Sequence, residues 1–113
     1  MIKRTLILTL LLASCVKITF SEYIYVYKVE TQSSRVIATF KLPDGRMATE
    51  TIQRVASPTF GNWTYGWGSV STKDSYYIKV KNDTTYGYIK VTVLRNNVVL
   101  KENIRRDSII LSN

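Results

Sequence analysis

The side chains that most often carry catalysis are scarce in this 113-residue sequence. Histidine is absent and Cys15 is the only cysteine, so the commonest general base, thiol nucleophile and zinc ligands are largely missing. Carboxylates remain. Glu30, Asp44, Glu50, Asp74, Asp83, Glu102 and Asp107 fall mostly at turns or strand ends, where solvation and turn formation account for them. A carboxylate pair assembled by the fold is the remaining route to acid–base chemistry. The expectation is a protein that is not an enzyme and holds neither metal nor other cofactor.

The one cysteine has a distinctive setting. Lys3 and Arg4 precede an apolar run from Leu6 to Ala13 that ends in Leu12-Ala13-Ser14-Cys15, the layout of a secretory signal. The uncharged run from Thr5 to Val16 is 12 residues, whereas a helix needs ~20 to cross the hydrocarbon, so it is too short for a permanent span. A Leu, two small residues and a Cys resemble the lipobox of bacterial lipoproteins. That resemblance implies that the Cys15 thiol is alkylated with diacylglycerol and that the chain is cut just before it. Ordinary cleavage after Ser14 is the alternative, and a buried core thiol fits poorly beside a removable signal. The expected organisation is a signal peptide over 1–14, a short tether over 15–22 and one domain over 23–113. The 113 residues less the first 14 leave 99, enough for one core without an internal disulfide.

The most specific-looking part of the domain is aromatic, Phe60-Gly61-Asn62-Trp63-Thr64-Tyr65-Gly66-Trp67-Gly68. On a strand, Trp63, Tyr65 and Trp67 share one face, and Thr64, Gly66 and Gly68 leave the other nearly bare. Such a row can stack on sugars or on a partner's rings, with the glycines admitting another backbone. Equally, the rings can fill a sandwich core opposite Val91 and Ile78. Asn62-Trp63-Thr64 and Asn82-Asp83-Thr84 match the glycan acceptor pattern, which behind a lipobox is expected to be chance.

Removing Lys3 and Arg4 from the 16 basic residues leaves 14 against 8 acidic, a formal +6. The cations are spread singly at polar positions of alternating runs, with clusters only at Lys79/Lys81 and Arg105-Arg106. That is a solvated strand face rather than a nucleic-acid footprint, with attraction to anionic headgroups as a secondary effect.

From Tyr23 onward the apolar residues recur with period two. Tyr23, Tyr25, Tyr27 and Val29 oppose Ile24, Val26, Lys28 and Glu30, and a polar turn follows over Thr31 to Ser34. Strands are predicted over Arg35 to Lys41, Met47 to Val55 (an edge or half-exposed one), Trp63 to Val70, Ser75 to Lys81, Tyr86 to Leu94 and Val98 to Glu102, with a last one over Ser108 to Leu111. Leu42-Pro43-Asp44-Gly45 and Asn96-Asn97 supply tight-turn chemistry. Seven or eight short strands without a helix predict an immunoglobulin-like or Greek-key β-sandwich, with a small barrel as the alternative.

The strand plan resembles the β-domain of MmpS-type transport accessory proteins and small Bacteroides-type lipoproteins. The resemblance rests on Tyr27-Lys28-Val29-Glu30, Ala38-Thr39-Phe40, Pro58 and Trp63, Tyr77-Ile78-Lys79-Val80 before Asn82, Tyr88 to Val93, and Asn96-Asn97 with Val98-Val99. The MmpS-type proteins usually have a membrane-spanning anchor, a disulfide and Pro next to Trp. Here a lipobox replaces the span, no second Cys exists, and four residues separate Pro58 from Trp63. In the lipoproteins an acidic cluster after the cysteine goes with surface export, and its absence here points to the periplasmic side.

The resemblance implies an immunoglobulin-like sandwich and an accessory role beside a membrane transporter. The function expected is a lipid-anchored cell-envelope module, held to a membrane through Cys15, that binds a protein partner by a strand edge or the surface from Pro58 to Trp67. A carbohydrate or peptidoglycan binder using Trp63, Tyr65 and Trp67, and a structural or adhesive subunit, are the alternatives.

Overall fold

A computed structural model describes residues 23–71, 73 and 75–113; Cys15, the signal and the tether lie outside these residues. Eight strands follow in order: β1 (Tyr23–Thr31), β2 (Arg35–Lys41), β3 (Met47–Gln53), β4 (Gly61–Ser69), β5 (Tyr77–Asn82), β6 (Ile89–Arg95), β7 (Val98–Arg105) and β8 (Ser108–Ser112). They form two four-stranded antiparallel sheets, β4-β1-β6-β7 and β3-β2-β5-β8, which face each other as a sandwich. Taking β1 as strand B of an immunoglobulin sandwich makes β4 strand E, and β3-β2-β5-β8 then has the C′-C-F-G order. The β6–β7 hairpin lies on the other side of β1, where strand A would sit.

Period-two patterning explains the layers. Tyr25, Tyr27 and Val29 on β1 and Ile89, Val91 and Val93 on β6 are buried, and meet Val36, Ala38 and Phe40 on β2, Ile78 and Val80 on β5, and Ile109 and Leu111 on β8. Each Val, Ile, Leu or Phe side chain so withdrawn from water contributes roughly 1.5–3 kcal/mol. The sheets are also joined by a polar tie. Tyr27, fully buried, donates its hydroxyl to Lys41 O at 3.0 Å and accepts from Tyr77 N at 3.2 Å. Burial pushes the pKa of this phenol above its ordinary value.

The turns behave as their residues predict. Asn96 and Asn97 take φ of 51° and 65°, the left-handed pair that a two-residue hairpin requires. Asn96 also pins the start of β1, its side chain accepting Ile24 N and its own N–H donating to Ile24 O, both at 2.8 Å. At the β2–β3 turn, Gly45 takes φ 92°. There the Arg46 backbone N–H and guanidinium both bond Asp44 and hold its carboxyl below the usual range.

Most strand limits fall within two residues of expectation, and two depart by three. β6 starts at Ile89 rather than Tyr86, because Asn82 takes the carbonyls of Tyr86 and Gly87, and Gly87 adopts φ 82°. That bond set bends the backbone out of the extended region. β7 runs three residues further than Glu102. It absorbs Leu100 as a bulge between the pairs Val93↔Lys101 and Leu94↔Val99, and Leu100 packs on the core.

Candidate functional site

The aromatic row lies on β4, at one edge of its sheet, with its rings turned inward. Trp67 is 8% exposed and stacks on Tyr25 at 5.2 Å with an interplanar angle of 11°. Tyr65 and Trp63 are half-buried and pack on Phe40 of the other sheet at 5.1 and 5.2 Å. The rings therefore fill the core against Phe40, Tyr25 and Tyr27 rather than opposite Val91. Val91 belongs to the same sheet, on the far side of β1, because Val29 pairs with both Trp63 and Val91. Thr64, Gly66 and Gly68 are exposed on the outer face, as the alternation predicts. A flat sugar platform needs ring faces in water; Trp67 is stacked on Tyr25 and buried, while Trp63 and Tyr65 are half-buried.

Four of the carboxylates serve in surface pairs. Arg35 meets Asp83 at 2.8 Å, Arg46 meets Asp44 at 2.6 Å, and Lys90 sits between Glu30 at 4.0 Å and Glu102 at 3.6 Å. Thr92 Oγ1 donates to Glu102 as well. Among the described residues no three His, Cys, Asp or Glu side chains gather as a metal site.

The best-built surface lies at the end of the sandwich where β1 finishes. Thr31 opposes Gly61 and Ile89, and four loops converge there: β1–β2, β3–β4, β5–β6 and β7–β8. Gln32 ties three of them. Its N–H donates to Tyr88 O at 3.1 Å and its carbonyl accepts Ser57 N at 3.1 Å. Its side-chain amide donates to Pro58 O at 2.7 Å and accepts Tyr88 N at 2.9 Å. Asn82, 8% exposed, brings in the fourth by donating to Arg106 O at 2.9 Å, while its N–H reaches Asp107 O at 2.8 Å. Arg54 lies over Gly61, donating to the Thr31 carbonyl and to Thr59 O at 3.1 Å; a Cβ on Gly61 would fall 2.6 Å from its Nε.

This bonded frame carries apolar and aromatic groups in water. Val55 is 85% exposed, Phe60 40%, Tyr86 46% and Tyr88 40%, and Pro58 stands beside them. The Arg106 guanidinium lies 4.5 Å from the centre of the Tyr88 ring, a cation–π contact. Exposed Tyr, Phe and Arg on loops already fixed by hydrogen bonds have the composition of a protein-binding patch, with little ordering entropy left to lose. Of the stretch from Pro58 to Trp67, then, Pro58 and Phe60 belong to the surface, Trp67 to the core, and Trp63 and Tyr65 to its half-buried margin. Sequence reading missed Tyr86, Tyr88 and Arg106. The signals available for them were Gly87 and the polar run around it, which mark a loop rather than the start of β6.

The opposite end, where β1 begins, has a different character. A surface groove of about 750 Å³ lies on the β3-β2-β5-β8 sheet, lined by Thr39, Lys41, Met47, Tyr77 and Lys79 among others, with no Asp or Glu in its lining. Lys41 Nζ donates to Ser75 Oγ at 2.5 Å. Ile24, Val70, Val98 and Val99 are exposed at this same end.

No protein-family model matches this chain, and no curated protein matches it either. The site is therefore read from its own geometry.

Proposed function

We propose that this chain is a lipid-anchored, non-enzymatic module of the bacterial cell envelope that binds a protein partner through the four-loop end of its sandwich. The observation that carries this reading is the loop cluster itself: Gln32 and Asn82 hold four loops in one arrangement beneath exposed Phe60, Tyr86, Tyr88 and Arg106. Its direction supports the reading too. The chain joins the domain at Tyr23, and the nine residues of β1 separate that end from the loops by about 30 Å. A tether on Cys15 would hold the Tyr23 end towards the bilayer and present the loops away from it. Lys41 and Lys79 in the groove near the Tyr23 end would favour an anionic headgroup surface. A transport or other envelope assembly fits such a partner, on the periplasmic side.

Two measurements in a bacterial host test this. Label from a palmitate analogue should depend on Cys15, and Cys15→Ala should move the protein to the soluble fraction. A photo-crosslinking residue at position 60, 86 or 88 should give one discrete adduct in membranes, absent when the probe replaces Lys28 on the outer sheet face. Equal adducts from both surfaces, or none from the loops, would remove the loop-binding reading. Unlabelled soluble protein would remove the anchor.

A further inference from the structure

Among the described residues, each sheet ends in two strands whose outer backbone groups have no ladder neighbour: β4 and β7 in one, β3 and β8 in the other. Three of these edges are guarded. β7 carries a bulge together with Lys101, Glu102 and Arg105, and Lys101 Nζ reaches over to donate to Ser112 O on β8 at 2.6 Å. β8 is only 5 residues long, and β3 has Glu50 at its centre. β4 has none of these devices. Its 9 residues, GNWTYGWGS, contain no charge and no proline, and they pair with β1 in unbroken register from Thr31↔Gly61 to Tyr23↔Ser69. A long, straight, uncharged edge is a template for another strand. Beside it, Trp63 and Tyr65 are only half-buried, leaving part of each ring at the open margin of the core.

We propose that β4 is a self-association edge, on which β4 of a second copy docks antiparallel about a two-fold axis through Tyr65. The strand is nearly symmetric about that residue. The two-fold sets Trp63 opposite Trp67 of the second copy on the core side, and Thr64 opposite Gly66 and Asn62 opposite Gly68 on the solvent side. Aromatic rings meet rings, and each polar side chain meets a glycine. No like charges face each other, although the exported chain is formally +6 by the count above. The joined sheet has the order β7-β6-β1-β4-β4-β1-β6-β7, and because the contact is isologous it closes on itself without forming fibres. This surface is separate from the four-loop end and does not depend on the anchor.

The test uses the exported chain with Cys15→Ala, so that lipid cannot drive association, followed by sedimentation from micromolar to millimolar concentration. One variant carries Thr64→Lys with Gly66→Lys, the other Thr64→Glu with Gly66→Glu. A Cβ at Gly66 meets nothing closer than Tyr25 O at 3.4 Å, so the site admits a side chain. The starting protein should dimerise, each variant alone should dissociate about tenfold more readily, and an equimolar mixture should recover the original affinity. A starting protein that stays monomeric throughout, variants that dimerise unchanged, or a folded mixture without recovery would each overturn the proposal. Should the variants not fold, amide exchange of the starting protein decides. β4 amides must become slower with rising concentration while β3 amides do not, and equal behaviour overturns it.

Discussion

Gln32 and Tyr88 are joined by two hydrogen bonds although they lie 56 positions apart in the chain: Gln32 N donates to Tyr88 O at 3.1 Å, and Tyr88 N donates to Gln32 Oε1 at 2.9 Å. The pair fixes the β1–β2 loop to the β5–β6 loop and so sets where the Tyr88 ring and Arg106 stand. Close approach is part of this contact. A Cβ on Gly87 would lie 2.8 Å from Gln32 Cβ.

Gly87→Ala should therefore cost more than Gly45→Ala, although both glycines have positive φ, 82° and 92°. Position 45 has open space around its Cβ, so the strain is conformational only, about 1 kcal/mol. At 87 the clash with Gln32 adds to it, for about 2 kcal/mol or more. Gln32→Ala should cost about 1–2 kcal/mol by removing two side-chain bonds, and should speed amide exchange at Tyr88. Urea titrations of the three variants check the order.

Tyr27→Phe removes the hydroxyl that donates to Lys41 O and accepts Tyr77 N. It should destabilise the domain by about 1–3 kcal/mol, since two backbone groups lose their partner. The variant should also flatten the alkaline side of the stability curve. Burial raises the folded-state pKa of this phenol, so the folded state holds its proton where the unfolded chain loses it. The resulting stability is complete below the unfolded pKa near 10 and is lost as pH rises through the folded value. Unfolding monitored upward from pH 9 should be steeper in the parent than in Tyr27→Phe.

The two tryptophans should differ in accessibility. With Trp63→Phe the remaining Trp67, 8% exposed and stacked on Tyr25, should emit blue-shifted and resist iodide. With Trp67→Phe the half-buried Trp63 should emit further to the red and be quenched more strongly. Soluble glycans should shift neither spectrum, because the ring faces are turned to the core. A saturable shift with a glycan would return the aromatic strand to the role of a sugar platform.

How much of this was legible beforehand depended on the range of the interaction. β2 is read to the residue, because Val36, Ala38 and Phe40 alternate with Arg35, Ile37, Thr39 and Lys41 between two clear turns. The Asn96-Asn97 turn is equally plain, since both residues tolerate the left-handed φ they adopt. The start of β6 is not. Tyr86 and Tyr88 have strand-favouring side chains, and what holds this stretch out of the strand is Asn82, whose amide takes the carbonyls of Tyr86 and Gly87. For the site, Pro58 was within the expected surface, while Tyr86, Tyr88 and Arg106 were hidden because nothing local joins Gln32 to Tyr88.

The sequence by itself determined an all-β chain of seven or eight strands, their approximate limits and, for several of them, which residues share a face, because side-chain period and turn chemistry act within a few residues. Tertiary structure alone decided that β1 lies between β4 and β6, that the rings of Trp63 and Tyr65 meet Phe40 while Trp67 meets Tyr25, and that among the described residues β4 keeps an unguarded edge. It also decided that loops far apart in the chain share one surface. Those outcomes follow from which strands pair and which faces meet, a competition among distant segments for the same buried area and the same backbone hydrogen bonds.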